Sequence, residues 1–205
     1  MFKNNSDIDR RITKSKQALR AALLSLMQSK EFKKITITDI VQAANLNRGT
    51  FYKHYEYKED ILDEIIDDVI SDLIASYREP YQNTEVFEVK SLTSSAIKIF
   101  EHISNNREFY TLILKSNTLS GLQQKLCNVL KGLTLEDLKG DLPNPKINRE
   151  LQVSFYVHAL FGMITEWINE GFKYSSDYMA EQLLEIIKSK QTDSVYTFTY
   201  SERNE

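Results

Sequence analysis

The stretch that decides the fold is Thr36-Ile37-Thr38-Asp39-Ile40-Val41-Gln42-Ala43-Ala44-Asn45-Leu46-Asn47-Arg48-Gly49-Thr50-Phe51-Tyr52-Lys53-His54-Tyr55. Thr36 can cap a helix, with Asp39 at the capping-box position three residues on, so a short helix is expected to open there and stop by Asn45. Asn45-Leu46-Asn47 reads as a turn, and Asn47 offers a second cap for a helix over residues 48–55. Two short helices joined by a tight turn follow.

Upstream, Ile12, Leu19, Leu23 and Leu26 recur at intervals of seven, four and three, which predicts a helix from residues 6–9 to Lys30. Arg10, Arg11, Lys14 and Lys16 lie beside that stripe near its start. Downstream, Ile61-Leu62, Ile65-Ile66, Val69-Ile70 and Leu73-Ile74 repeat every four residues, giving a long amphipathic helix from Lys58 to about Glu79, stopped at Pro80. Asp63, Glu64, Asp67, Asp68 and Asp72 fall opposite the isoleucine stripe and read as a solvated face, so no enzyme is expected.

Beyond Pro80 the pattern stays helical, with breaks at 82–84, Asn105-Asn106, 116–120 and 140–145. From Ile147 to Glu170 apolar residues surround almost the whole helix, which predicts burial on several sides, and Gly171 is placed to end it. Ser175 or Ser176 caps a last helix to about Lys190. Residues 195–200 alternate like a strand but have no strand partner, so the tail 191–205 is expected to be an irregular arm. The fold class is all-α with about nine helices, and 6 Gly with 3 Pro in 205 residues suit it.

Cys127 is the one cysteine, so no intrachain disulfide forms, and no apolar run is long enough to span a bilayer; a cytoplasmic protein without membrane partners is expected. The net charge of −3 hides an asymmetry. Residues 1–58 hold 12 Lys and Arg against 5 Asp and Glu, a balance of +7, and the remainder is −10. A basic head on an acidic body suits a polyanion met at one end.

A helix that reads DNA needs a small residue where the backbone nears the groove, polar groups for base edges and flanking donors for phosphates. Asn47 to Tyr55 supplies all three, and Gly49 costs a helix interior about 1 kcal/mol relative to Ala. These residues, with Ile37 to Val41, Ala43-Ala44 and Lys58 to Leu62, closely resemble the TetR/AcrR family over residues 10–62. Asn45-Leu46-Asn47 departs from that family's frequent Gly-hydrophobic-Ser turn, but Asn tolerates the left-handed backbone required. Asn106 to Tyr110 and Phe161 to Phe172 are similar to a subgroup that includes activators of dihydroxyacetone metabolism.

The resemblance implies a helix-turn-helix DNA-binding domain at 1–57 (the motif at 36–55) and a helical ligand-binding and dimerisation domain at 58–205, with 58–79 connecting them. By position it puts Asn47, Arg48, Gly49, Thr50 and Lys53 on the major-groove face. Tyr52, His54 and Lys58 would bond phosphates, Thr36 and Thr38 would meet the backbone at a helix N-terminus, and Phe51 and Tyr55 would pack inward. It implies a homodimer on a pseudo-palindromic operator, with Phe161, Trp167, Leu183 and Ile187 as interface candidates. His102, Phe109, Phe155 and His158 are the effector-pocket candidates. The histidines lack histidine or carboxylate partners at helical spacing, so neither a metal nor a cofactor is expected. The leading expectation is a repressor released by a small-molecule effector; the alternative is an activator whose C-terminal domain docks a protein coactivator.

Overall fold

A computed structural model describes residues 5–82, 92–115, 121–137 and 146–189. Within them lie nine α-helices and no strand: α1 (Asn5–Met27), α2 (Ile37–Ala43), α3 (Arg48–Tyr52), α4 (Lys58–Arg78), α5 (Ile99–Asn105), α6 (Arg107–Lys115), α7 (Leu122–Asp137), α8 (Arg149–Asn169) and α9 (Ser176–Lys188). The expected breaks at 116–120 and 140–145, most of that at 82–84, and the tail 191–205 lie outside the described residues.

Local chemistry sets the boundaries. Thr36 caps α2 in a reciprocal box, its Oγ1 accepting from the Asp39 amide at 3.1 Å while Asp39 Oδ2 accepts from the Thr36 amide at 2.8 Å. Asn45 takes the left-handed conformation at φ 52°, with Asn45 N donating to Gln42 O and Leu46 N to Val41 O. That is the Schellman pattern, with Asn in the position glycine usually holds. Gly171 ends α8 the same way, at φ 73° with Gly171 N on Ile168 O and Phe172 N on Trp167 O. Helix α3 is shorter than expected: from Lys53 the chain passes into a turn in which the His54 and Tyr55 amides both donate to Phe51 O.

The core is continuous from head to body. Leu19, Leu23, Ile40 and Phe51 share one buried cluster with Ile61, Ile65, Val69 and Leu73 of α4, and α4 also packs on α5 and α7, whose Phe100, Ile103 and Leu126 belong to the same cluster. On the acidic face of α4, Asp63, Asp67, Asp68 and Asp72 are exposed, as expected, and Glu64 is half-buried, yet three of these carboxylates also take partners. Glu64 pairs with Lys16 at 2.7 Å, Asp68 with Arg20 at 2.6 Å, and Asp72 with the His102 ring at 2.7 Å. Further along, Arg78 forks onto Asp137 at 2.7 and 3.1 Å and Tyr77 meets Thr134 at 3.2 Å. The first half of α4 is thus tied to α1 and the second half to α5 and α7.

Helix α8 is not buried on several sides as expected. Val153, Val157, Ile164, Trp167 and Ile168 face the core, but Leu151 is 71% and Phe155 67% exposed, with Tyr156 half open. Within the chain α8 packs against α6 and α7, and the side turned away from them stays bare.

Candidate nucleic-acid interface

The head presents α3 by its two faces. Phe51 is fully buried and Tyr55 nearly so, packed at 6.0 Å between ring centroids. Arg48, Gly49, Tyr52 and Lys53 are exposed, with Thr50 and His54 partly so. A helix of five residues cannot persist alone, so its position comes from the Phe51 anchor and the Asn47 cap. Asn47 Oδ1 accepts from the Thr50 amide at 2.8 Å and the Thr50 hydroxyl at 3.2 Å, engaging both residues within the motif.

Gly49 gains a second reason from this geometry. A Cβ there would stand 3.2 Å from Asn47 Oδ1 and meet nothing else within 4 Å. Glycine therefore leaves room for the cap on one side and an open approach on the other.

The α2 end carries Thr38 exposed to solvent, whereas the Thr36 hydroxyl and amide both donate to Asp39 Oδ2, at 2.9 and 2.8 Å. The Lys30 ammonium, 2.7 Å from Asp39, and the Thr36 donors hold that carboxyl down at about 2. The Asp39 carboxylate thus already holds the amide and hydroxyl of the cap residue at the start of α2. Lys58, expected to reach outward, turns inward onto the backbone carbonyls of Phe32 and Ile35.

An open depression of about 610 Å³ lies beside the end of α3, lined by Lys53 and His54 but also by Glu56, Asp60 and Glu64. Its carboxylates disfavour phosphate, so the exposed side of α3 is the better polyanion face. Tyr55 lines it too; burial pushes its phenol well up, with the nearby Glu64 carboxylate adding to the shift. Tyr57, exposed in the turn before α4, was missed by sequence reading because a turn carries no periodic signal.

The structure does not assemble the four pocket candidates into one site. His102 and Phe109 are buried at α5 and α6, whereas Phe155 and His158 lie exposed on α8, where His158 Nδ1 donates to the Ser154 carbonyl at 2.7 Å. The His102 ring bridges Asp72 and the Tyr110 hydroxyl, at 2.7 and 2.8 Å. Burial holds His102 below the ordinary imidazole value, with the Asp72 bond pulling the other way, and burial pushes Tyr110 up. A neutral ring with Nδ1–H facing Asp72 and Nε2 accepting from Tyr110 satisfies both bonds.

Of the interface candidates, Trp167 is corrected. It is 1% exposed, lies edge-on to Phe100 and Phe172, and donates Nε1–H to Tyr174 O at 2.9 Å, so it belongs to the core. Phe161 and Leu183 are half-buried against that core, and Ile187 is exposed. Among the described residues no cluster of three or more His, Cys, Asp or Glu side chains could hold a metal, and no helix is long and apolar enough to cross a membrane.

Comparison with known proteins gives this geometry its context. Residues 18–65 match the profile described as bacterial regulatory proteins, tetR family, and residues 90–189 match a TetR transcriptional regulator C-terminal region. The chain is 43% identical over 56 residues to an uncharacterized HTH-type transcriptional regulator, YxbF, of Bacillus subtilis; that match covers 27% of this chain and only 15% of YxbF. It is 25% identical over 195 residues to the HTH-type transcriptional repressor KstR2 of Rhodococcus jostii, covering 85% of this chain and 92% of that one. The fold is shared with the dihydroxyacetone kinase operon activator DhaS at TM-score 0.59 and 18% identity, over 84% of this chain and 93% of that one. Two matching profiles, one on the head and one on the body, lead to one conclusion: the chain belongs to the TetR family of DNA-binding transcriptional regulators.

Proposed function

We propose that the protein is a homodimeric repressor whose two α3 helices enter successive major grooves of a pseudo-palindromic operator, about 34–36 Å apart. The observation that carries this reading is the two-faced α3, with Phe51 anchored inward and Arg48, Gly49, Tyr52 and Lys53 outward. Dividing the chain between Tyr57 and Lys58, the head holds the DNA and the body dimerises. Arg48 and Lys53 are the base-reading side chains, with the Thr50 methyl beside them. Thr38, Tyr52 and His54 meet phosphates, while Asn47 and Thr36 hold the two helices in shape.

Dimerisation is supported by the bare apolar side of α8, Leu151, Phe155 and Tyr156, together with exposed Ile186 and Ile187 on α9. Patches of this kind mark interaction surfaces, and a four-helix bundle from two copies would cover them. Repression is supported by the long alignment with KstR2, which is named a repressor. Release by a small molecule requires that it bind the DNA-competent and incompetent arrangements with different affinity. The His102 bridge between α4, α5 and α6 is a polar site in the body where such a difference can act on the connecting helix.

Selection of bound sites from random duplexes tests the proposal. Inverted half-sites with one-turn spacing are expected, and metabolites are then screened for release of the selected site. Enrichment of no sequence, or of single half-sites only, would refute the dimeric reading.

A further inference from the structure

Lys58 opens α4, yet backbone oxygens surround its ammonium. It donates to Phe32 O and Ile35 O, both at 2.8 Å, lies 3.4 Å from Lys33 O, and sits 4.6 Å from the centroid of the Phe32 ring. An ammonium has three N–H donors, and three carbonyls converge on this one. Those carbonyls belong to the 3-10 turn Phe32–Lys34 and the residue after it, and Thr36, the cap of α2, follows at once.

We infer that Lys58 is a positioning residue that braces the α1–α2 turn against α4 and neutralises no phosphate. The brace works with Lys16 and Arg20, which pin α1 to Glu64 and Asp68 further along α4. Contacts from the middle of α1 and from the turn that follows it hold the head against the first turns of α4. Lys58 thereby sets the angle at which α2 and α3 are offered to DNA, and this inference rests on the DNA-binding reading of α3.

Lys58→Met keeps the apolar stem over Phe32 and removes the donors. Its affinity is expected to fall several-fold on selected and unrelated duplexes alike, while the slope of log K against log salt stays that of the wild type. A phosphate ligand behaves differently: its loss makes the slope shallower by about 0.9. That shallower slope, or an unchanged affinity, would overturn the inference.

Because the variant can loosen the head, the wild-type side chain is also observed directly by nitrogen-15 NMR of its ammonium. Slowly exchanging Lys58 Nζ protons in the free protein, unshifted on adding duplex, are expected; signals that emerge only with DNA would sink the inference. This free-protein measurement also separates the two readings, since a wild type that binds no duplex refutes DNA recognition while the ammonium signal still judges the brace.

Discussion

Helices α3 and α8 are built by opposite means. Helix α3 has five residues and owes its place to a cap, a left-handed Asn and one buried ring. Helix α8 has 21 residues and buries a full stripe, yet it leaves Leu151 and Phe155 bare. The short helix is completed by its own chain; the long one awaits a second surface. The exposed side of α3 is polar and that of α8 apolar, which matches a polyanion at one end and protein at the other.

The largest expected effect tests the completeness of α3. Phe51→Ala should destabilise the protein by about 3–5 kcal/mol, as for a fully buried aromatic, and abolish duplex binding; urea unfolding checks it. The same residue type on α8 should behave differently. Phe155→Asp is expected to leave helix content by circular dichroism unchanged while sedimentation shows monomer, at a cost to association of about 2 kcal/mol or more. A dimer that persists would remove the contrast.

A smaller effect sharpens the α3 side. Asn47→Ala should cost about 1 kcal/mol by loss of the cap, whereas Asn47→Asp, which keeps the acceptor, should retain stability and lose DNA affinity through added negative charge. Unfolding curves and gel shifts on one selected duplex separate the two. The smallest effect concerns pH. His102 is held neutral in the fold, so its contribution to stability is complete above the unfolded value of about 6.5 and is lost as pH falls from there through its lower folded value. Urea midpoints from pH 7.5 to 5 should therefore fall more for the wild type than for His102→Gln.

What the sequence revealed follows the range of the interactions. Thr36 with Asp39, Asn47 with Thr50, and Gly171 are decided within a few residues, so spacing alone exposed both caps and the end of α8. The face of α4 was equally legible from its period of four. Lys58 on Ile35, Lys16 on Glu64 and Asp72 on His102 join residues 23, 48 and 30 positions apart, and no local pattern announces such pairs. The charge of the head was legible as a sum but not as a surface, because Lys16, Arg20, Lys30 and Lys58 are engaged within the protein. Trp167 illustrates the same limit: an aromatic on an all-round apolar helix has no mark that says which wall it meets.

Between Lys58 and Arg78, α4 contains neither glycine nor proline, so it behaves as a stiff lever about 30 Å long. Tilting its body end by about 10° would carry the far end sideways by about 5 Å, on the order of one base-pair step and a half along a duplex. Two such levers diverging or converging would put the paired reading heads out of step with the grooves, without any change inside α3 itself.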